Sequence, residues 1–162
     1  HDTVVTAFTH SLAANVENLD LSGRLAADGV GNALDNHLAG NTAANTLTGG
    51  AGADTLAGGA GADTFVFTAL GDSSVANSDR ITDFNAAEDA IDLRQIDANA
   101  ALAGDQAFML AGAFSGQAGQ AVLTYDPASA STSLALDVNG DALADFQLQI
   151  NGQISGSTGF FL

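Results

Sequence analysis

Two aspartates nine residues apart, Asp54 and Asp63, each close a glycine-rich hexapeptide, GGAGAD, and a short apolar segment follows each one. Gly49 to Ala57 reads GGAGADTLA and Gly58 to Val66 reads GGAGADTFV. Carboxylate oxygens, with main-chain carbonyls that glycine leaves uncovered, are hard donors. They suit a divalent cation that takes roughly six to eight oxygens at about 2.3 to 2.6 Å, which describes calcium; magnesium would ask for stricter octahedral geometry and keep several waters. The candidate donors in the two full copies are Gly49, Gly50, Ala51, Gly52 and Asp54, then Gly58, Gly59, Ala60, Gly61 and Asp63. Nine residues back the same places hold Gly40, Thr42 and Asn45, and nine further back Gly31, Ala33 and Asn36. There asparagine offers weaker, neutral oxygens, so those turns should need less metal. Forward, Asp72 lies nine after Asp63, and Asp79 and Asp83 flank position 81, where the next acid is due.

Such donors need a scaffold that repeats every nine residues, which no α-helix does and no run of amphipathic strands does. The simplest unit is a six-residue turn followed by a three-residue strand whose middle side chain points inward. Those middle residues are Leu38, Leu47, Leu56 and Phe65. If two units make one coil, turns eighteen residues apart stack on one edge. Asp54 then shares a cation with Asp72, and Asp63 shares one with Asp79 or Asp83, for two to four ions in all. Without metal, two carboxylates about 4 Å apart repel by on the order of 4 kcal/mol at an effective dielectric near 20.

The two GGAGAD copies, the FVF at Phe65 to Phe67, SDRITDF at Ser78 to Phe84 and EDAIDL at Glu88 to Leu93 resemble the calcium-binding RTX (hemolysin-type) repeats and C-terminal module of serralysin-type proteases and related exoproteins. The resemblance spans roughly residues 30 to 152. It implies an all-β fold, a parallel β-roll capped by antiparallel strands, that folds on meeting external calcium. It further implies a non-catalytic module of a larger secreted, extracellular bacterial protein, with the type I secretion machinery and an N-terminal catalytic or adhesive domain as partners. A second class stays open: a carbohydrate- or surface-binding module like those of alginate epimerases, adhesins or surface layers.

Composition narrows the rest. Nineteen acids against three arginines and no lysine give a formal charge of −16, which repels nucleic acid and anionic lipid. The 46% hydrophobic content argues against disorder, and several acids read better as ligands awaiting cations. There is no cysteine for disulfides or thiolate sites, and no apolar stretch of spanning length. His1, His10 and His37 stand apart and none belongs to an HExxH; GxSxG and a phosphate loop are missing too, so an enzyme is not the expectation. The chain opens without methionine or a signal-peptide pattern, and reads as a fragment of something longer.

Taken in order, residues 1–75 are expected to form the roll, beginning with short strands read from the alternation of Val5 and Ala7, then Leu19 and Leu21. Residues 76–162 are expected to form the cap, with a helix-friendly stretch at Arg94 to Leu102. Its strands are placed at Ala107 to Leu110, Ala121 to Tyr125, Ser133 to Asp137 and Asp145 to Ile150. Asp137 to Asp145 reads DVNGDALAD, either an irregular calcium loop or a hairpin with Asn139-Gly140 in a type I′ turn; the strand signals on both sides favour the hairpin. Glu88 and Asp89 read as solvated turn residues. The terminal GSTGFFL is a last strand or frayed end, or the secretion signal that the resemblance implies.

Overall fold

A computed structural model describes the whole chain, His1–Leu162. Its strands are β1 (Thr3–Thr6), β2 (His10–Ser11), β3 (Asn18–Leu21), β4 (Gly29–Val30), β5 (His37–Ala39), β6 (Thr46–Thr48), β7 (Thr55–Ala57), β8 (Thr64–Val66), β9 (Asp79–Ile81), β10 (Ala90–Asp92), β11 (Met109–Ala111), β12 (Gln120–Asp126), β13 (Ser131–Asp137), β14 (Phe146–Asn151) and β15 (Phe160–Phe161). The only helical element is a 3₁₀ turn, Leu70–Ser73. No helix is long and apolar enough to cross a membrane.

Alternate strands go to alternate sheets. One sheet runs β1-β3-β5-β7-β9-β14-β13-β12-β11, and the other runs β15-β10-β8-β6-β4-β2. In the repeats the partners are eighteen residues apart and parallel, His37 beside Thr55 and Thr46 beside Thr64. Two nonapeptides therefore make one coil of a parallel β-roll. In β5 to β8 and in β10 the middle residue of the three points between the sheets, and in β9 the last one does; Leu38, Leu47, Leu56, Phe65, Ile81 and Ile91 are all fully buried. A three-residue strand with its middle residue inward buries only one side chain, so each sheet brings one narrow file, mostly leucine, to the core of the early coils. It thickens towards the C-terminal end, where Phe67 packs edge-on against Phe146 at 5.3 Å, and Phe65, Phe84 and Phe160 form a tilted stack.

The cap is the antiparallel set β12-β13-β14, which joins the roll through parallel pairing of β14 with β9. The roll does not stop at residue 75. β9 extends one sheet, and β10 and then β15 extend the other, because Phe67 to Ser78 merely bulges out of the coil and the chain then resumes it. The C-terminal Phe160 and Phe161 form the last strand of the roll, with the Arg94 guanidinium 4.8 Å above the Phe161 ring.

Several local expectations change. In β1 it is Val4 that packs against the core, whereas Val5 is 66% exposed. Arg94 to Leu102 is not helical: the Asp97 carboxylate takes the N–H groups of Asn99 and Gln106, and side chains that bond nearby backbone draw it out of a helix. β13 and β14 do form a hairpin, but its loop runs from Val138 to Asp145 and is no type I′ turn, since Gly140 has a positive φ (77°) and Asn139 does not. The buried Asp137 carboxylate gathers the N–H groups of Asn139, Gly140 and Ala142 and so winds the longer loop around itself.

Candidate metal centre

The turns that link the sheets stack along two edges. On one edge turn 31–36 lies under turn 49–54, and the segment leading into β9 follows. On the other, turn 40–45 lies under turn 58–63, and the segment leading into β10 follows.

The acid that ends each full turn reaches back to the turn before it. Asp54 Oδ1 accepts the N–H of Asn36 at 2.7 Å, and Asp63 Oδ1 accepts that of Asn45 at 2.8 Å. Further along, Asp79 Oδ1 accepts the N–H of Asp54 at 2.8 Å and Asp89 Oδ1 that of Asp63 at 3.0 Å. They form two ladders, Asn36–Asp54–Asp79 along one edge and Asn45–Asp63–Asp89 along the other. The second oxygens of Asp54, Asp63 and Asp79 are buried and have no donor at all. An ionised oxygen taken from water and left without a partner is costly, and such a group neutralises or finds a cation.

The protonation behaviour agrees. Burial pushes the Asp54 carboxyl up to about 7, against the N–H of Asn36, and the charges of Asp35 and Asp72 add to it. Burial likewise pushes Asp79 up to about 8, with Asp54, Asp72 and Asp35 contributing like charge. Asp63 is raised for the same first cause, with Asp89, Asp83 and Glu88 behind it. Each edge is thus a local excess of negative charge around buried oxygen atoms.

Glycine makes room for those oxygens. A Cβ on Gly49 would fall onto Asp54 Oδ2, and one on Gly52, whose φ is +130°, would stand 2.5 Å from the Leu34 carbonyl oxygen of the turn below. The carbonyls of Leu34 and Ala43 receive no hydrogen bond from the protein. No three His, Cys, Asp or Glu side chains converge on one point, so a donor set here would be one or two carboxylates with main-chain carbonyls. That set suits a hard, oxygen-seeking ion such as calcium, and the orphaned oxygens show that the residues present fit it.

The expected donors of the repeats fall into four groups. Asp54 and Asp63, with the glycines Gly49, Gly50, Gly52, Gly58, Gly59 and Gly61, line the stacked turns. Gly31 and Gly40 start the turns beneath, close against the carbonyls of Gly49 and Gly58. The third-position residues Ala33, Thr42, Ala51 and Ala60 are exposed, so only their carbonyls are available. Asn36 and Asn45 have their side chains engaged, each Oδ1 by an N–H of its own turn and each amide by the turn below.

Two expected pairings are replaced. Asp72 does not stack on Asp54; it caps the 3₁₀ turn, accepting from Thr68 N, Thr68 Oγ1 and Ala69 N. The bulge lengthens the step from 18 to 25 residues, and Asp79 takes the rung. Asp63 is met by Asp89 and not by Asp79 or Asp83, with Asp83 instead clamping the N–H groups of Gly58 and Gly59 at 2.9 Å each. Asp89 is buried and not a solvated turn residue, and its other oxygen accepts from Asn85. Its signal lay in the strands, for Asp54, Asp63, Asp79 and Asp89 each stand two residues before a buried, inward-facing strand residue, Leu56, Phe65, Ile81 and Ile91.

Residues 7–162 match the family described as Peptidase M10 serralysin C terminal. The chain belongs to that family. It is 46% identical over 88 residues to the metalloprotease AprA of Pseudomonas entomophila (strain L48), which covers 54% of this chain and 18% of the protease. It is 39% identical over 95 residues to serralysin A of Dickeya chrysanthemi, covering 59% and 19%. This serralysin C-terminal chain therefore spans about a fifth of the length of the relatives it matches. Its fold is shared with the AlgE6R3 subunit of the Azotobacter vinelandii mannuronan C5-epimerase, with a TM-score of 0.62 at 25% identity over 95% of this chain and 82% of that one.

Proposed function

We propose that this serralysin C-terminal chain is a non-catalytic, calcium-binding folding module of a larger exported bacterial protein. The observation that carries the reading is the set of buried carboxylate oxygens, on Asp54, Asp63 and Asp79, that no protein group satisfies. Calcium would supply the positive charge they lack. Asp54, Asp63, Asp79 and Asp89, with carbonyls of the stacked turns, would hold it, and two to four ions would fit the available turn pairs. Each ion present at a hundred times its Kd adds about 2.7 kcal/mol to the folded state. That is about what burying one further leucine side chain contributes, roughly 1.5 to 3 kcal/mol. At submicromolar calcium the chain stays loose enough to thread a type I exporter, and at millimolar external calcium it coils and remains outside. The catalytic or adhesive activity then belongs to another part of the parent protein.

The test is calcium binding to the full chain, followed by native mass spectrometry and calorimetry. Two to four ions should bind in the wild type and fewer in Asp54→Asn/Asp63→Asn. A wild type that takes up no calcium at millimolar concentration defeats the reading.

The likeness to the epimerase subunit supports a second reading, a carbohydrate-binding module. A polar row, Thr3, Asn18, His37, Thr55, Arg80, Gln149, Ser133 and Thr124, crosses the outer face of the long sheet at matching register. With a net charge of −16, a polyanionic glycan would need bridging cations. Titration with neutral and with uronic-acid oligosaccharides in calcium separates the two readings.

A further inference from the structure

The turns before Gly49 handle the same carbonyls differently. In turn 31–36 the Asn36 Oδ1 accepts the N–H of Asn32 at 2.7 Å, and the Asn32 Oδ1 accepts that of Leu34 at 2.9 Å. Turn 40–45 repeats this with Asn45 on Asn41 and Asn41 on Ala43, both at 2.8 Å. With the oxygens fixed, the NH2 groups can face only one way. Asn32 donates to Ala13 O and Val16 O at 2.8 Å each, and Asn36 to Val16 O and Glu17 O at 3.3 Å each. On the other edge Asn41 donates to Ser22 O at 3.2 Å and Leu25 O at 3.0 Å, and Asn45 to Ala27 O at 2.5 Å. Every one of these acceptors belongs to the turn stacked immediately before.

Eighteen residues on, the donors are gone. Asn32 and Asn41 become Gly50 and Gly59, with no side chain, and Asn36 and Asn45 become Asp54 and Asp63, with no N–H to give. The carbonyls of Leu34 and Ala43, the counterparts of Val16 and Leu25, receive nothing from the turn above. The exchange removes two amide groups per turn and leaves one buried oxygen unpaired.

We propose that the asparagine pairs Asn32/Asn36 and Asn41/Asn45 stand in for the cation. Their amides clamp the first two turn interfaces without metal, so calcium enters only where Asn-x-x-x-Asn gives way to Gly-x-x-x-Asp. The statement about where calcium enters rests on the calcium reading above; the clamp does not. The chain then has a metal-independent N-terminal block on which the later coils wind when calcium arrives, and its ion count is set by how many turns carry the aspartate form.

Amide hydrogen exchange on the full chain, in chelator and in millimolar calcium, tests the clamp. The N–H groups of Asn32, Asn41 and His37, the last bonded to Glu17 O, should keep at least about tenfold protection in chelator. Those of Asp54, Gly58 and Asp63 should be protected only in calcium. Converting one turn with Asn32→Gly/Asn36→Asp should add one calcium ion by native mass spectrometry and make protection of His37 calcium-dependent. Asn41→Gly/Asn45→Asp repeats the test on the other edge should the first variant fold poorly. Equal loss of protection at both ends in chelator overturns the clamp while leaving calcium binding standing, as does an unchanged ion count in a converted variant that folds. A wild type that binds no calcium overturns the calcium reading, and persisting His37 protection in chelator would still support the clamp.

Discussion

Turns 31–36 and 40–45 share their spacing, their inward strand residues and their place in the coil with turns 49–54 and 58–63. The first pair gives its side-chain amides to the turn below and leaves no side-chain oxygen stranded. The second pair uses one carboxylate oxygen on a backbone N–H and strands the other in the interior. A buried polar group is neutral to stability when partnered and costly when not, so the two pairs differ in what they require of the solution around them. On the two proposals above, one backbone course is unconditional at its start and conditional on a cation further along.

The comparison breaks most severely where the cradle itself is filled. Gly52→Val would place a branched side chain at a φ of +130° against the Leu34 carbonyl, and calcium binding at that edge should be lost with about 3 kcal/mol or more of stability in calcium, read from thermal melts. Asp63→Ala should raise the calcium midpoint at least about tenfold, by removing both a ladder rung and the stranded oxygen. Asp126→Ala, on an exposed residue that only caps its own turn, should leave the midpoint unmoved. A common shift in both would mean general charge and not the ladder. Asn36→Ala should cost about 1 to 3 kcal/mol, with calcium or without it, since it leaves the Asn32 N–H unpaired and takes one donor each from Val16 O and Glu17 O.

The smallest effect concerns protons. Asp54 and Asp79 titrate near about 7 and about 8 in the folded chain, against an ordinary 3.8, so the folded metal-free form holds protons more tightly than the unfolded one. That stabilisation is complete below about pH 4 and is lost as pH rises through 7 and 8. Circular dichroism in chelator should therefore show more order at about pH 5 than at about pH 8. With calcium present the same protons compete with the ion, and the calcium midpoint should rise as pH falls through that window.

Much of this was legible in the sequence, for particular reasons. A nine-residue period with a single apolar residue after each turn leaves few options, and Leu38, Leu47, Leu56 and Phe65 lie where the period puts them. Counting by nines failed beyond Phe67, because the bulge that Asp72 caps adds residues to the coil without adding a strand. Counting back from the inward strand residues Ile81 and Ile91 survives the bulge, pairing Asp79 with Asp54 in place of Asp72 and bringing in Asp89 beside Asp63. The role of the asparagines was not legible, since an amide carries both donor and acceptor and only the folded geometry decides which end faces the next turn. Nor was the long loop after Asp137, where a buried carboxylate outweighs the local preference of Asn-Gly.

Far-UV circular dichroism and melting of the full chain in millimolar calcium and in chelator, at neutral pH, test the central claim most directly. The account predicts a cooperative β transition in calcium, and in chelator a weaker signal whose remaining order lies before Gly49. The same signal and the same cooperative melt in both solutions would contradict it.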